Sequence, residues 1–388
     1  MEYFLTEEQK ELKALARWIA EEKMKPVREK YDEGEIFPWD IVKVMAEKGL
    51  FKVLVPKEYD GSSGKVMNLV IMMEELCKVD SGISLALGGT GLGISPIHLN
   101  GSEEQKRKYL PAAAAGEKLA AYALSEADAG SDAGSIKTTA KKDGDYYILN
   151  GAKQWITNGG EADIYTVFAL TDITKGARGA SAFIVEKGTE GFSFGKKESK
   201  MGIRASATRE LIFEDCKVPK ENLIAREGMG FIVAMKTFDE SRPMVAAQAI
   251  GIAQGALEEA ILFSKEMHQS GKPISSFQEI QFMFANMAMK IEAARALIYS
   301  TARMIDSGVR KYSKESAMCK CLASDVAMEV TSNAVQILGG YGYMKEYPLE
   351  KMMRDAKITQ IYEGTNQIQR LVIALNLVKE YSRHVKNK

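Results

Sequence analysis

Apolar residues recur every three or four positions from the start of the chain. Leu12, Leu15, Ala16, Ile19 and Ala20 follow a Thr6/Gln9 pair with capping-box spacing, which predicts an amphipathic helix. Pro26 and the Phe37-Pro38-Trp39-Asp40 stretch punctuate the pattern, and residues 40–48 read as a second, short helix. Val53 to Pro56, followed by Tyr59 to Gly64, reads as a loop. Helical spacing returns over 66–79, over a run of small residues at 84–97, and over 102–110, where Ser102 is the N-cap. Near Gly116 the period changes. Tyr146 to Leu149 and Gln154 to Thr157, separated by Asn150-Gly151, have the residue types of a β-hairpin turned at that dipeptide. Further β-rich pieces at 165–170, 182–185 and 211–213 predict a barrel or sandwich of roughly 110 residues. Beyond Gly230 the segments 231–267, 277–307, 314–338 and 366–381 are long and rich in Ala, Met, Glu and Lys, as in a helical bundle. Charges such as Lys265, Lys272 and Lys290 are assigned to solvated helix faces.

The pattern predicts an α+β, mainly α chain with an N-terminal helical domain (1–115), a central β domain (116–230) and a C-terminal four-helix bundle (231–388). There is no βαβ alternation and no G-x-G-x-x-G, which counts against a Rossmann fold. Composition narrows the function classes. Lys+Arg 52 against Asp+Glu 52 leaves no net charge, so no nucleic-acid partner is expected. His98, His268 and His384 are the only histidines, and Cys319 and Cys321 are too close for a C-x2-C knuckle, so no metal site is expected. Cys77, Cys216, Cys319 and Cys321 read as reduced, buried thiols. No basic-then-apolar leader opens the chain at Met1-Glu2-Tyr3-Phe4-Leu5, and no apolar run approaches 20 residues. A cytoplasmic protein without a membrane partner is therefore expected.

Candidate chemistry concentrates in a few segments. Glu363 follows the aromatic stretch ending in Tyr362 and precedes Gly364-Thr365, where Thr365 can cap the last helix. A carboxylate held between an aromatic wall and a glycine can be desolvated into a general base, or it can serve only the first turn of that helix. Gln336 to Tyr343, with Gly339, Gly340 and Gly342, is a helix C-cap and turn, or a place where backbone approaches a planar ligand or a phosphate. Tyr122 to Asp132 is a small-residue loop rich in donors, and Trp155-Ile156-Thr157-Asn158-Gly159-Gly160 sets an aromatic beside a hydroxyl. Either is an ordinary turn if taken alone.

Taken together, these segments and Lys200-Met201-Gly202-Ile203-Arg204-Ala205-Ser206 resemble, in order and over essentially the whole chain, the signature segments of the acyl-CoA dehydrogenase family, in particular its short- and medium-chain, butyryl-CoA dehydrogenase-like branch. The resemblance implies FAD as cofactor. It places Tyr122, Leu124, Ser125, Trp155, Ile156 and Thr157 along the flavin ring, and Gln278, Gln336, Gly339, Gly340, Thr365 and Gln367 among the other FAD contacts. Gln336, Gly339 and Gly340 would serve the FAD of a neighbouring subunit, so a homo-oligomer, most often a tetramer, is implied. Ser131, Asp239, Ser241, Arg242, Tyr362 and Gly364 would meet the acyl-CoA, with Arg242 pairing with phosphate. Glu363 would abstract the α-proton, the β-hydride would pass to flavin N5, and electron-transfer flavoprotein would take the electrons. A different branch carries its base where this chain has Ser241, and a serine cannot serve, although Glu240 stands beside it.

Two departures stand out. Met267-His268-Gln269-Ser270-Gly271-Lys272 occupies the place of the family's R-x-x-F-G-K, so weaker or differently satisfied FAD binding is expected, with His268 or Lys272 as substitutes. The glycines of Leu87 to Ile94 either permit close helix packing or leave room for a branched or alicyclic acyl group. Two other functions stay open: the same site run in reverse as an enoyl-CoA reductase, and a catalytically silent helical scaffold. The intact segments around Glu363 and Trp155 argue against the scaffold.

Overall fold

The computed structural model describes residues 3–386, apart from the side chains beyond 382; Met1, Glu2 and the His384 side chain lie outside the described residues. Six helices come first: α1 (Glu7–Ile19), α2 (Arg28–Gly34), α3 (Trp39–Glu47), α4 (Val66–Cys77), α5 (Ser81–Asn100) and α6 (Glu103–Ala114). Capping boxes open α1 and α6: Thr6 and Gln9 exchange two bonds at 3.2 Å, as do Ser102 and Gln105 at 3.2 and 3.0 Å. Helix α2 lies in the stretch read only as punctuation; at 7 residues it is too short to show a periodic face.

Eight strands follow: β1 (Ala120–Ala123), β2 (Thr139–Asp143), β3 (Tyr146–Thr157), β4 (Ile164–Leu170), β5 (Ala180–Glu186), β6 (Phe192–Lys197), β7 (Thr208–Pro219) and β8 (Leu223–Ile224). They form one hydrogen-bonded sheet in the order β6-β7-β3-β2-β4-β5-β8, with β1 alongside β4. The hairpin expected at Asn150-Gly151 is not there. Its turn lies between β2 and β3, at Gly144 with φ +57°, and Asn150-Gly151 falls inside β3 at a bulge. The Asn150 side chain bridges to β7, donating to Asp215 Oδ1 at 3.0 Å and accepting from the Asp215 amide at 2.8 Å. A Cβ on Gly151 would stand 2.7 Å from Thr138 Oγ1, so the glycine answers a close approach and not a turn.

The helical part then runs through α7 (Gly230–Glu266), the small hairpin β9 (His268–Gln269) and β10 (Lys272–Pro273), α8 (Gln278–Asp306), α9 (Ser313–Leu338), α10 (Leu349–Ile358) and α11 (Asn366–Lys386). Lys272 therefore lies on a hairpin and not on a helix face, with its ammonium 4.5 Å from the Phe277 ring centroid. Helix α7 packs along α9 and against α4, which joins the two helical parts around one apolar core. All four cysteines are free and buried. Among the described residues no helix is long and apolar enough to cross a membrane.

Short α10, not anticipated from the sequence, ties the three parts together. Lys351 is buried and bridges Asp80, the N-cap of α5, at 2.9 Å and Asp355 at 2.6 Å. Asp355 also accepts the Ile203 amide, from the loop between β6 and β7, at 2.5 Å. Arg354 reaches Asp32 of α2 at 2.7 Å and the Met201 carbonyl at 2.9 Å. Removing one partner of a buried ion pair leaves uncompensated charge, which costs about 3–5 kcal/mol. Lys351→Met is expected to lose about that much stability in urea denaturation, since two carboxylates are left buried; a loss below about 1 kcal/mol would show that the clasp is not structural.

Candidate active site

Beyond α10 the chain turns through Tyr362 to Glu363 and Gly364, both left-handed, with φ +50° and +87°. For a non-glycine residue that conformation costs roughly 1–2 kcal/mol, and nearby donors offset it. Gln369 Nε2 donates to the carbonyls of Glu363 and Gly364, each at 3.0 Å, and Lys320 Nζ donates to the Gly364 carbonyl at 2.7 Å. Any Cβ on Gly364 would lie 2.6 Å from Gln369 Nε2. Thr365 Oγ1 accepts the Ile368 amide at 3.3 Å and so caps α11.

The Glu363 carboxylate does not serve that first turn. It faces α7, accepting from Ser241 Oγ at 2.5 Å. Burial pushes its carboxyl pKa up; the Ser241 hydrogen bond and the charges of Arg242 and Lys320 work in the opposite direction. Tyr362 donates to Gln248 Oε1, and Gln248 Nε2 to Ser81 Oγ at 2.6 Å, which anchors the residue before Glu363 to α7 and α5.

Ser241 and Arg242 precede Pro243, which has no N–H to give the Asp239 carbonyl; Ser316 Oγ supplies that bond at 2.5 Å. Arg242 is only 4% exposed and pairs with Asp239 at 2.6 Å. In this geometry it is a buried charge acting on Glu363, and its Nε has no hydrogen-bond partner among the described residues. Glu240, the neighbouring carboxyl, is pushed up to about 7 by burial and by Asp306, and it does not line the cavity around Glu363.

Three parts of the chain wall that cavity. Met73 of α4 and Leu85, Gly88, Gly89 and Leu92 of α5 form one side, while Phe238, Met244, Val245 and Gln248 of α7 form another. The β domain contributes Tyr122, Leu124 and Ser125 from β1 and the loop beyond it, and Trp155, Ile156 and Thr157 from β3. A bulge between Lys153 and Ile156 gives Trp155 φ +59° and leaves it 56% exposed. Buried Lys153 holds this wall, donating to the Leu124 carbonyl at 3.1 Å and to Glu126 at 2.7 Å. Neither the Ser125 nor the Thr157 hydroxyl has a hydrogen-bond partner among the described residues. Two free hydroxyls beside an exposed indole fit a flat heteroaromatic ring with acceptors along its edge, as a flavin is.

Most of the glycines in α5 serve packing. A Cβ on Gly89 would lie 2.9 Å from Thr157 Cγ2, on Gly91 3.1 Å from Leu54 Cδ2, and on Gly93 2.5 Å from the Ala121 nitrogen. Gly88, which meets Met73 Cε at 3.2 Å, lines the cavity together with Gly89.

Other candidate residues lie elsewhere. Ser131 is exposed on its loop, and Thr365 and Gln367 flank Glu363 outside the cavity lining. Gly339 and Gly340 line a second cavity with Met267, Phe277 and Tyr341, while Gln278 and Gln336 are exposed. That second cavity is almost wholly apolar. His268 does not line it, and its Nδ1 lies 2.8 Å from the Glu266 carbonyl. Sequence reasoning missed Lys320, Lys153 and Gln369, because a lysine in a helix or strand reads by default as solvated.

Comparison with known proteins gives matches to the acyl-CoA dehydrogenase N-terminal domain over residues 6–117, the middle domain over 121–216 and the C-terminal domain over 228–378. The chain is 49% identical over 375 residues to the short-chain-specific acyl-CoA dehydrogenase of Clostridium acetobutylicum, covering 96% of this chain and 99% of that one. It is 50% identical over 381 residues to the acryloyl-CoA reductase (NADH) of Anaerotignum propionicum, covering 98% and 96%. Among solved structures, butyryl-CoA dehydrogenase of Megasphaera elsdenii superposes with TM-score 0.95 at 46% identity, covering 97% and 100%. A chain from the structure of the electron transferring flavoprotein of Acidaminococcus fermentans superposes with TM-score 0.95 at 52% identity, covering 97% and 99%.

The apolar second cavity yields a test. Hydrogen bonds to charged groups contribute about 1.5–3 kcal/mol, so Met267→Arg is expected to tighten FAD binding about tenfold or more in titrations of flavin-free protein. An unchanged dissociation constant would show that the diphosphate is already satisfied without the guanidinium.

Proposed function

The chain belongs to the acyl-CoA dehydrogenase family of flavin-dependent oxidoreductases, and from that premise we propose that Glu363 is the base that takes the α-proton of a short acyl-CoA thioester to give the 2,3-enoyl-CoA. One observation carries this reading: among the described residues, Glu363 is the only carboxylate lining the cavity that also holds the Tyr122-to-Thr157 wall. FAD supplies the acceptor for the β-hydride when bound.

The α C–H of a thioester is a weak acid, so its removal needs a desolvated base and stabilisation of the enolate oxygen. Ser241 holds Oε2 of Glu363 and leaves Oε1 to accept the proton. The backbone N–H of Glu363 has no partner among the described residues, and it is a donor for the thioester oxygen. Once protonated, Glu363 is neutral in a cavity that already disfavours its charge.

Apolar side chains of Met73, Leu85, Leu92, Phe238, Met244 and Val245 surround the space for the acyl chain. Of the α5 glycines only Gly88 and Gly89 line that space, and a Cβ on either would meet a neighbouring side chain at 3.2 or 2.9 Å, so the room left favours a short, straight chain over a branched or alicyclic one. Each methylene is worth about 1–3 kcal/mol of discrimination in such a pocket.

We propose electron-transfer flavoprotein as the acceptor, on the family membership and the likeness to the Acidaminococcus structure. The likeness to acryloyl-CoA reductase supports a second reading, the same site reducing a short enoyl-CoA. We also propose a homo-oligomer. Gly339 and Gly340 line a cavity separate from that of Glu363, which supports the family reading that they serve the FAD of a neighbouring subunit. Leu371, Leu375 and Val378 leave an exposed apolar stripe on α11 for a second copy.

The purified flavoprotein, titrated anaerobically with straight, branched and alicyclic acyl-CoAs, is expected to lose its visible flavin band, most readily with short straight chains. Glu363→Gln is expected to slow that bleaching by about 10²–10⁴-fold or more. Bleaching at the normal rate in the variant would remove Glu363 as the base.

A further inference from the structure

Lys320 stands in the N-terminal third of α9 with no exposed surface. Its ammonium donates to the Gly364 carbonyl at 2.7 Å and to Asn366 Oδ1 at 3.0 Å, and both acceptors are neutral. Among the described residues no carboxylate lies within ion-pair distance of it. A buried ammonium with only neutral acceptors is unfavourable by several kcal/mol unless an opposite charge lies near.

The surrounding groups identify that charge. Asp325 on α9 is already held by Arg370 at 2.6 Å, by Gln360 and by Asn366, each at 2.7 Å. Asp239 on α7 is already held by Arg242 at 2.6 Å and by the Ser313 hydroxyl. Burial keeps the Cys321 thiol and the Tyr122 and Tyr362 phenols in their neutral forms at neutral pH. Burial pulls Lys320 down to about 8, so it remains largely protonated at neutral pH, and Glu363 is the opposite charge acting on it most strongly. Reciprocally, Lys320 favours the ionised form of Glu363.

We propose that Lys320 is the built-in counter-ion and positioning residue of the catalytic loop. Hydrogen-bonded to the carbonyl one residue beyond the base, it holds the left-handed turn and keeps Glu363 ionised where water is excluded. This assignment rests on Glu363 being the base. It separates two demands that conflict in a desolvated site: burial makes the carboxylate a stronger proton acceptor, and the fixed ammonium prevents it from taking a proton from solvent beforehand.

The test compares the holoenzyme with Lys320→Met, Lys320→Gln and Lys320→Arg. Gln keeps a donor for the Gly364 carbonyl while losing the charge, so it carries the comparison if Met does not fold. Glu363 protonation is followed directly by its carboxylic acid C=O infrared band, isolated by subtracting the Glu363→Gln spectrum, and functionally by the acid limb of kcat/KM. In the neutral variants both titrations are expected to move to higher pH, by about one pH unit or more, the direction expected when a cation is lost beside an acid. At a pH below the limb, kcat/KM then falls about tenfold when the limb moves up by about one on the pH scale, while Lys320→Arg keeps the wild-type limb. Infrared and kinetic titrations that do not move in the neutral variants would overturn the proposal, as would a displacement in Lys320→Arg equal to that in Lys320→Met. If Glu363→Gln retains activity, the base assignment itself fails. If that variant is inactive and the Lys320 titrations stay fixed, only the counter-ion role falls.

Discussion

A carboxylate that must lose water and still keep its negative charge is the constraint around which this chain is built. Glu363 cannot meet it from its own loop, because no backbone donor of α11 reaches its side chain. Desolvation instead comes from walls contributed by α4 and α5, by the β domain and by α7. The Ser241 hydroxyl and two buried cations, Arg242 and Lys320, oppose that burial by favouring the ionised form. Such a site exists only while surfaces from three parts of the chain stay in register.

Register is maintained by the residues just before the Glu363 loop. Helix α10 ends five residues short of Glu363, and its Lys351, Arg354 and Asp355 bind α5, α2 and the loop between β6 and β7. A Cβ on Gly202 would lie 2.6 Å from the Arg354 backbone, so that loop packs directly on the helix. On the opposite side of the cavity, Asn158 donates to the carbonyls of Ala86 and Ala120, each at 3.1 Å, and seals α5 against the β domain. Fold and chemistry are linked through these buried polar groups, whose geometry is far less forgiving than that of apolar contacts.

The layout of long helices was legible from periodicity, and the capping boxes at Thr6 and Ser102 were legible from residue types three positions apart. Glu363 and the Tyr122-to-Thr157 wall could be picked out because several weak segments occurred in one order. The missed features share a physical cause: their meaning depends on a distant partner. Asn150-Gly151 has the composition of a turn, but its side chain was already engaged by Asp215, 65 positions away. Lys320, between two cysteines on a long helix, carries no local sign that its ammonium is buried under Gly364. Helix α2, at 7 residues, is too short for periodicity to reveal.

Proton abstraction by Glu363 is tested most directly apart from hydride transfer. An acyl-CoA deuterated at the α-carbon, and chemically unable to lose a β-hydride, reports that step alone when loss of the label to solvent is followed by NMR. The holoenzyme is expected to catalyse this exchange, with a rate that rises with pH as Glu363 ionises, and Glu363→Gln is expected to abolish it. Exchange at the wild-type rate in Glu363→Gln would contradict the account, because another group would then be removing the proton.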